Sequence, residues 1–325
     1  MIESSAPRIP LKLQPTAQDV AYDLAAALGA VVSLRARAPE DAFTASVLGT
    51  ERAGHGVVIN DSGLIATIGY LVTEAEEIWI VTASGQAVAG HLIGYDYETG
   101  FGLVQALGRL DCPVMALGDA RELNVGDALV MAGCGGRKHA IRVHVAARRE
   151  FAGYWEYVLD DAIFTAPPHP SWGGAALIAT DGRLAGIGSL YIDNIVPELP
   201  DIEGNLSVPV NLLEPILEEL LLYGRTLKPA RPWLGLFVSE LDRRLVVAGM
   251  YDDAPAARAG LVAGDVVRTV GGVRPSDLAG LFRAVWAVGT AGASIPLEIE
   301  REEKIVEVTV ESVDRRDFWK QPHLH

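Results

Sequence analysis

The side chains that could do chemistry in this chain sit in short, separated stretches. Gly54-His55-Gly56 and Pro168-His169-Pro170 carry imidazoles, and Ser171-Trp172-Gly173-Gly174 carries the local hydroxyl. A serine becomes a nucleophile when a histidine takes its proton and a carboxylate holds that histidine in the right tautomer. Thr67-Ile68-Gly69-Tyr70-Leu71 offers a phenol instead, a poor base at neutral pH because its reference pKa is about 10. His55 and His169 could together begin a zinc or copper site. No third ligand shows in the spacing, so no metal and no cofactor is expected. Cys112 and Cys134 are the two cysteines. Two widely spaced thiols in a long chain do not make a disulfide framework, so both are expected to be free.

These residues need elements to position them, and the pattern is mostly β. From Gly56 to about Ser207, short β-branched runs alternate with Gly, Asp and Asn turns. Val57-Val58-Ile59 before Asn60-Asp61-Ser62-Gly63 reads as a hairpin, as does Ile78-Trp79-Ile80-Val81 before Ser84-Gly85. Ala17 to Leu34 holds apolar residues at helical spacing and then runs into a strand. Asn211 to Leu222 reads as an amphipathic helix with Asn211 as its cap, and Ser276 to Val288 as another with Ser276 as its cap. Ile295–Ile299 and Ile305–Val310 alternate as a hairpin through Glu302-Glu303.

Several motifs occur in a fixed order: Gly54-His55-Gly56-Val57-Val58-Ile59, Gly63-Leu64-Ile65-Ala66-Thr67, Asp96-Tyr97-Glu98-Thr99, Leu117-Gly118-Asp119, Gly173-Gly174-Ala175-Ala176-Leu177 and Val208-Pro209. Further on, Trp233-Leu234-Gly235-Leu236-Phe237-Val238 precedes a long run from Ala254 to Val267 that contains Ala259-Gly260-Leu261-Val262-Ala263-Gly264-Asp265. Together they resemble the HtrA family, trypsin-like serine proteases that carry a PDZ domain. The resemblance implies a trypsin-like double β-barrel followed by a PDZ domain. Family stretches T-N-x-H-V, D-P-x-T-D-L-A and G-N-S-G-G-P supply the histidine, aspartate and serine. The matching positions here are Tyr70, Gly100 and Gly173, so the resemblance implies a degenerate triad and no catalytic residue. Matching the glycine pair differently moves the serine position to Trp172, which restores no serine. Ser171 is the fallback nucleophile. The resemblance also puts His55 and His169 beside the vacated cleft.

The family pattern divides the chain into a helix-bearing segment 1–34, a barrel domain 35–223, a linker 224–232, a PDZ domain 233–313 and a tail 314–325. A PDZ domain binds peptides by adding a strand to its sheet edge. Trp233, Leu234, Gly235, Leu236, Val238, Leu281, Phe282 and Val285 are therefore the expected peptide-binding residues. Backbone N–H groups of Leu234-Gly235-Leu236 would hold a terminal carboxylate, beside an exposed edge at Leu236-Phe237-Val238. The implied function is a pseudoprotease that binds or scaffolds proteins in quality control. The alternatives are an endopeptidase using Ser171, or a regulatory subunit of an active relative. Partners are expected among unfolded proteins and peptide C-termini, with a homo-oligomer, a trimer by resemblance. Acidic residues outnumber basic ones by 42 to 27, and the net charge is −15. That disfavours nucleic acid and anionic membranes. No run reaches the ~18 apolar residues of a membrane span. Met1-Ile2-Glu3-Ser4-Ser5 lacks a basic region followed by an apolar core, so a cytoplasmic location is expected, or a periplasmic one if the sequence is a trimmed piece.

Overall fold

Turn chemistry sets where the strands end. Asn60 Oδ1 accepts the N–H groups of Ser62 at 3.1 Å and Leu64 at 3.0 Å, which closes the first hairpin. Gly63 sits there at φ +80°, a backbone state that glycine adopts without a steric penalty. The computed structural model describes residues 9–196, 199 and 201–320. Parts of the expected terminal segments 1–34 and 314–325 lie outside the described residues. Two compact units result: the first holds residues up to Arg149, Asp161–Thr226 and Lys320, and the second holds Glu150–Asp160 and Leu227–Trp319.

In the first unit, β1 (Val31–Arg37), β2 (Glu51–Val58), β3 (Leu64–Ile68), β4 (Glu77–Val81), β5 (Ala87–Tyr95) and β6 (Phe101–Ala106) close into a barrel in the order β1-β2-β3-β6-β5-β4. A second barrel joins β7 (Ala128–Ala132), β8 (Ala140–Gly153), β9 (Tyr157–Ala166), β10 (Ala176–Ile178), β11 (Leu184–Ile192) and β12 (Gly204–Pro209) in the order β10-β11-β12-β9-β8-β7. Closure leaves no unpaired sheet edge and gives each barrel an interior to fill. Leu34, Ile65, Ile80, Phe101 and Leu103 are buried in the first barrel. Met131, Ile141, Val145, Ile163 and Leu177 pack together in the second.

The helices depart from the sequence reading at their starts. Helix α1 covers Leu24–Gly29 and not the whole stretch from Ala17. Asp19 accepts the N–H and hydroxyl of Thr16, and Asp23 accepts the N–H of Ala26, so carboxylates hold local turns where a longer helix would need backbone bonds. A short α2 (Ala45–Leu48) follows. Helix α3 is Glu214–Tyr223, and its cap position is Leu213, not Asn211. Asn211 lies in a 3-10 turn, Val210–Leu212, that precedes the helix.

The second unit has one sheet, β13 (Leu236–Leu241), β14 (Arg244–Met250), β15 (Val266–Val270), β16 (Ser294–Arg301) and β17 (Lys304–Glu311), in sequence order. Helices α4 (Pro255–Arg258) and α5 (Leu278–Val288) accompany it. Helix α5 begins one residue later than a cap at Ser276 would set, so its cap is Asp277, which accepts the N–H of Gly280 at 2.7 Å. Ser276 bonds to Asp277 instead. Asp265 of the Gly264-Asp265 motif is buried at 1% exposure and pairs with Arg301 through contacts of 2.7 and 2.6 Å. Bidentate geometry offsets the cost of burying that carboxylate.

Candidate functional sites

The first site lies between the two barrels. Tyr70 stands in a 3-10 turn, Gly69–Leu71, at the end of β3. Buried Arg52 donates to the carbonyls of Tyr70 at 3.2 Å and Thr73 at 2.7 Å, which fixes the turn. The phenol of Tyr70 donates to the Ser189 carbonyl of β11 at 2.7 Å. Burial pushes its pKa well above the usual tyrosine value, so it stays protonated. A Cβ built on Gly173 would lie 3.0 Å from Tyr70 Oη. The Gly100 carbonyl accepts the N–H of Gly69, next to Tyr70, at 2.7 Å. Tyr70, Gly100 and Gly173 therefore lie near one another. None of the three brings an ordinary base, carboxylate or nucleophile.

The remaining polar groups are committed to one another. His55 donates its backbone N–H to the Gly173 carbonyl at 2.9 Å and accepts the Cys134 N–H on Nδ1 at 3.1 Å. Burial, with His169 and His139 nearby, holds His55 down to about 4, so it is neutral at pH 7. His169 is buried at 1% exposure. Its Nε2 lies 3.0 Å from the His139 carbonyl, and its Nδ1 accepts the Ser171 N–H at 3.0 Å. A carbonyl only accepts, so Nε2 carries the proton and the Nδ1 lone pair is spent. The nearest imidazole is thus unavailable as a base for Ser171. Trp172 packs on Tyr191 with ring centroids 5.6 Å apart. Cys112 and Cys134 are free, and burial pushes the Cys134 thiol up to about 11. Among the described residues, no three or more His, Cys, Asp or Glu are arranged to hold a metal ion.

The second site is the groove of the second unit. Gly235 at φ +78° turns the backbone so that successive N–H groups point the same way. Those of Leu234, Gly235 and Leu236 meet the Glu156 carboxylate at 3.1, 2.7 and 2.9 Å. Glu156 stands in the turn between β8 and β9 at φ +62°. It is 8% exposed, and burial pushes it up to about 7 against the pull of the three N–H groups and Arg315. The expected free edge is already paired there: Val238 donates its N–H to the Tyr154 carbonyl at 3.0 Å. Leu234, Leu236, Leu281, Phe282 and Val285 line the remaining cavity together with Glu156. That cavity is about 10 Å³, room for one water at most. Of the other expected groove residues, Trp233 packs on Tyr251 and Phe318, and Val238 is buried in the core. The sequence reading missed Glu156. The available signal was a carboxylate set among Phe151, Tyr154, Trp155 and Tyr157 at a hairpin tip.

Comparison with known proteins agrees with these elements. A trypsin-like peptidase domain matches residues 54–187, and a PDZ domain matches residues 232–311. A "Probable periplasmic serine endoprotease DegP-like" from Pseudomonas fluorescens is 28% identical over 287 residues, covering 81% of this chain and 57% of the relative. Periplasmic serine endoprotease DegP of Escherichia coli is 25% identical over 277 residues, covering 79% of this chain and 56% of the relative. The chain thus spans little more than half the length of these curated relatives. Among solved structures, HtrA-type protease AlgW with decapeptide has a TM-score of 0.54 at 22% identity, covering 90% of this chain and 99% of that one. The serine endoprotease from Yersinia pestis gives 0.54 at 23% identity, covering 92% and 98%. The cytoplasmic expectation is corrected by these relatives, whose names place them in the periplasm. The reading rested on the first residues of the sequence, and those do not decide the compartment. A trypsin-like peptidase domain, a PDZ domain and these relatives together support the HtrA family for this chain.

Proposed function

We propose that this chain is a catalytically silent HtrA-family protein that binds polypeptide segments. The approach of Tyr70 Oη to within 3.0 Å of a Cβ on Gly173 carries the reading. A histidine and a serine would meet at such a pair, and here a phenol faces a bare backbone. Loss of a whole triad costs about 2 × 10⁶ in kcat in a serine protease, or roughly 8–9 kcal/mol of barrier. Binding then falls to the second unit, whose loop Leu234-Gly235-Leu236 offers donors to a carboxylate. The AlgW structure with decapeptide supports a peptide as the ligand class. Unfolded proteins and peptide C-termini are the proposed partners, and a homo-oligomer, a trimer, is the proposed assembly.

A fluorophosphonate probe tests the reading, because only an activated serine reacts. No labelling of the purified chain is expected. The names of the relatives favour the competing reading, a serine endopeptidase, which here would use Ser171. Labelling that disappears in Ser171→Ala would establish it.

A further inference from the structure

The groove of the second unit is filled, and what fills it is chemically specific. Three consecutive N–H groups, those of Leu234, Gly235 and Leu236, converge on one carboxylate. The same segment supplies a strand-type bond, Val238 N–H to Tyr154 carbonyl. Val158 joins the apolar core with Leu281, Phe282 and Val285. Arg283 on α5 pairs with Glu150 and Asp160, which flank residues 153–158 on either side. A carboxylate, an extended backbone and an apolar side chain are the three things a peptide terminus would bring to such a groove.

We infer that residues 153–158 are the resident ligand of this groove, with the Glu156 side chain seated as a peptide's terminal carboxylate would be. An outside peptide binds only by displacing it; this second clause rests on the proposed peptide-binding function. Tethering makes the resident ligand hard to displace, since a short connection gives an effective concentration on the order of millimolar. A free peptide at micromolar concentration competes poorly, even with similar contacts.

Amide hydrogen exchange on the full chain tests the occupancy. Leu234, Gly235, Leu236 and Val238 should exchange slowly in the wild type. Glu156→Lys puts an ammonium against N–H donors and must leave the loop, so exchange at Leu234–Leu236 should speed at least tenfold. Glu156→Gln keeps a neutral acceptor for the same N–H groups and should stay close to the wild type. Amides of β16 and β17 should not change, which separates release of the segment from unfolding. Equal exchange at Leu234–Leu236 in the wild type and Glu156→Lys would overturn the inference. A fluorescent decapeptide with a free apolar C-terminus tests displacement. Glu156→Lys should bind it at least tenfold more tightly than the wild type, and equal affinity would overturn the competition. If neither protein binds the peptide while exchange is accelerated, the resident ligand stands and the peptide-binding function falls.

Discussion

The cleft between the barrels and the groove of the second unit are both filled by the chain's own atoms, in opposite ways. In the cleft, Tyr70 donates to the Ser189 carbonyl, and His55 and His169 have spent their Nδ1 lone pairs on backbone N–H groups. Under the proposed reading, the groups that would do chemistry are gone by substitution, and no motion brings them back. In the groove, the backbone donors remain arranged for a carboxyl group, and one from the same chain sits on them. Under that reading, the difference teaches that a protease scaffold can lose its chemistry and still keep its recognition geometry, provided the recognition rests on backbone.

The largest expected effect tests how solid the groove is. Phe282 is 2% exposed and packs in the core, so Phe282→Asp buries a charge as well as opening a cavity. A loss of about 4 kcal/mol or more is expected, read as a lower Tm for the second unit. An unchanged Tm would mean that Phe282 is a soft groove wall and that the groove is not tightly packed.

Acid should act on the two regions with opposite sign. His55 is held down to about 4, so the folded first unit resists protonation. Its stability should be full above the ordinary histidine value of about 6.5 and fall as pH drops to 4, by up to ~3 kcal/mol. Glu156 is raised to about 7, with Arg315 and Tyr251 as its charged or titratable neighbours. Seating of the hairpin tip should therefore be strongest below the ordinary carboxylate range and weaken as pH rises through 7. Urea unfolding of the first unit and exchange at Leu234–Leu236, both followed from pH 8 to 4, check the pair of signs. Matching trends in the two regions would break the contrast.

A smaller effect concerns restoration. Tyr70→His, Gly100→Asp and Gly173→Ser return the three functional groups, yet casein turnover is expected to stay at background. Gly100 sits at φ +90°, where a side chain costs on the order of 1–2 kcal/mol, and the Ser171 N–H remains held by His169. Recovered turnover would show a cleft needing only its side chains. The smallest effect is expected from Asp277→Ala, which removes the cap of α5 and should cost about 1 kcal/mol in urea unfolding of the second unit.

Much of the fold was legible because its signals are local. Asn60-Asp61-Ser62-Gly63 marks a hairpin by its own hydrogen bonds, and the alternation around Glu302-Glu303 marks another. The helix starts were misread because a cap is set by which residue first leaves helical geometry. Ser276 and Asp277 are equally good caps on paper, and the start at Leu278 selects Asp277. Tyr70, Gly100 and Gly173 could be nominated through the family resemblance, since each lies in a stretch that matches a short family motif. Glu156 could not. Its partners, Leu234 to Leu236, are about eighty residues away, and nothing in Tyr154-Trp155-Glu156-Tyr157 says which backbone will receive it.

The central claim is that the scaffold binds and does not cut. Incubating the purified chain with unfolded β-casein, and following fragments by mass spectrometry beside Ser171→Ala, tests it most directly. The account predicts no fragments above buffer, from either protein. Fragments produced by the wild type and absent with Ser171→Ala would contradict it.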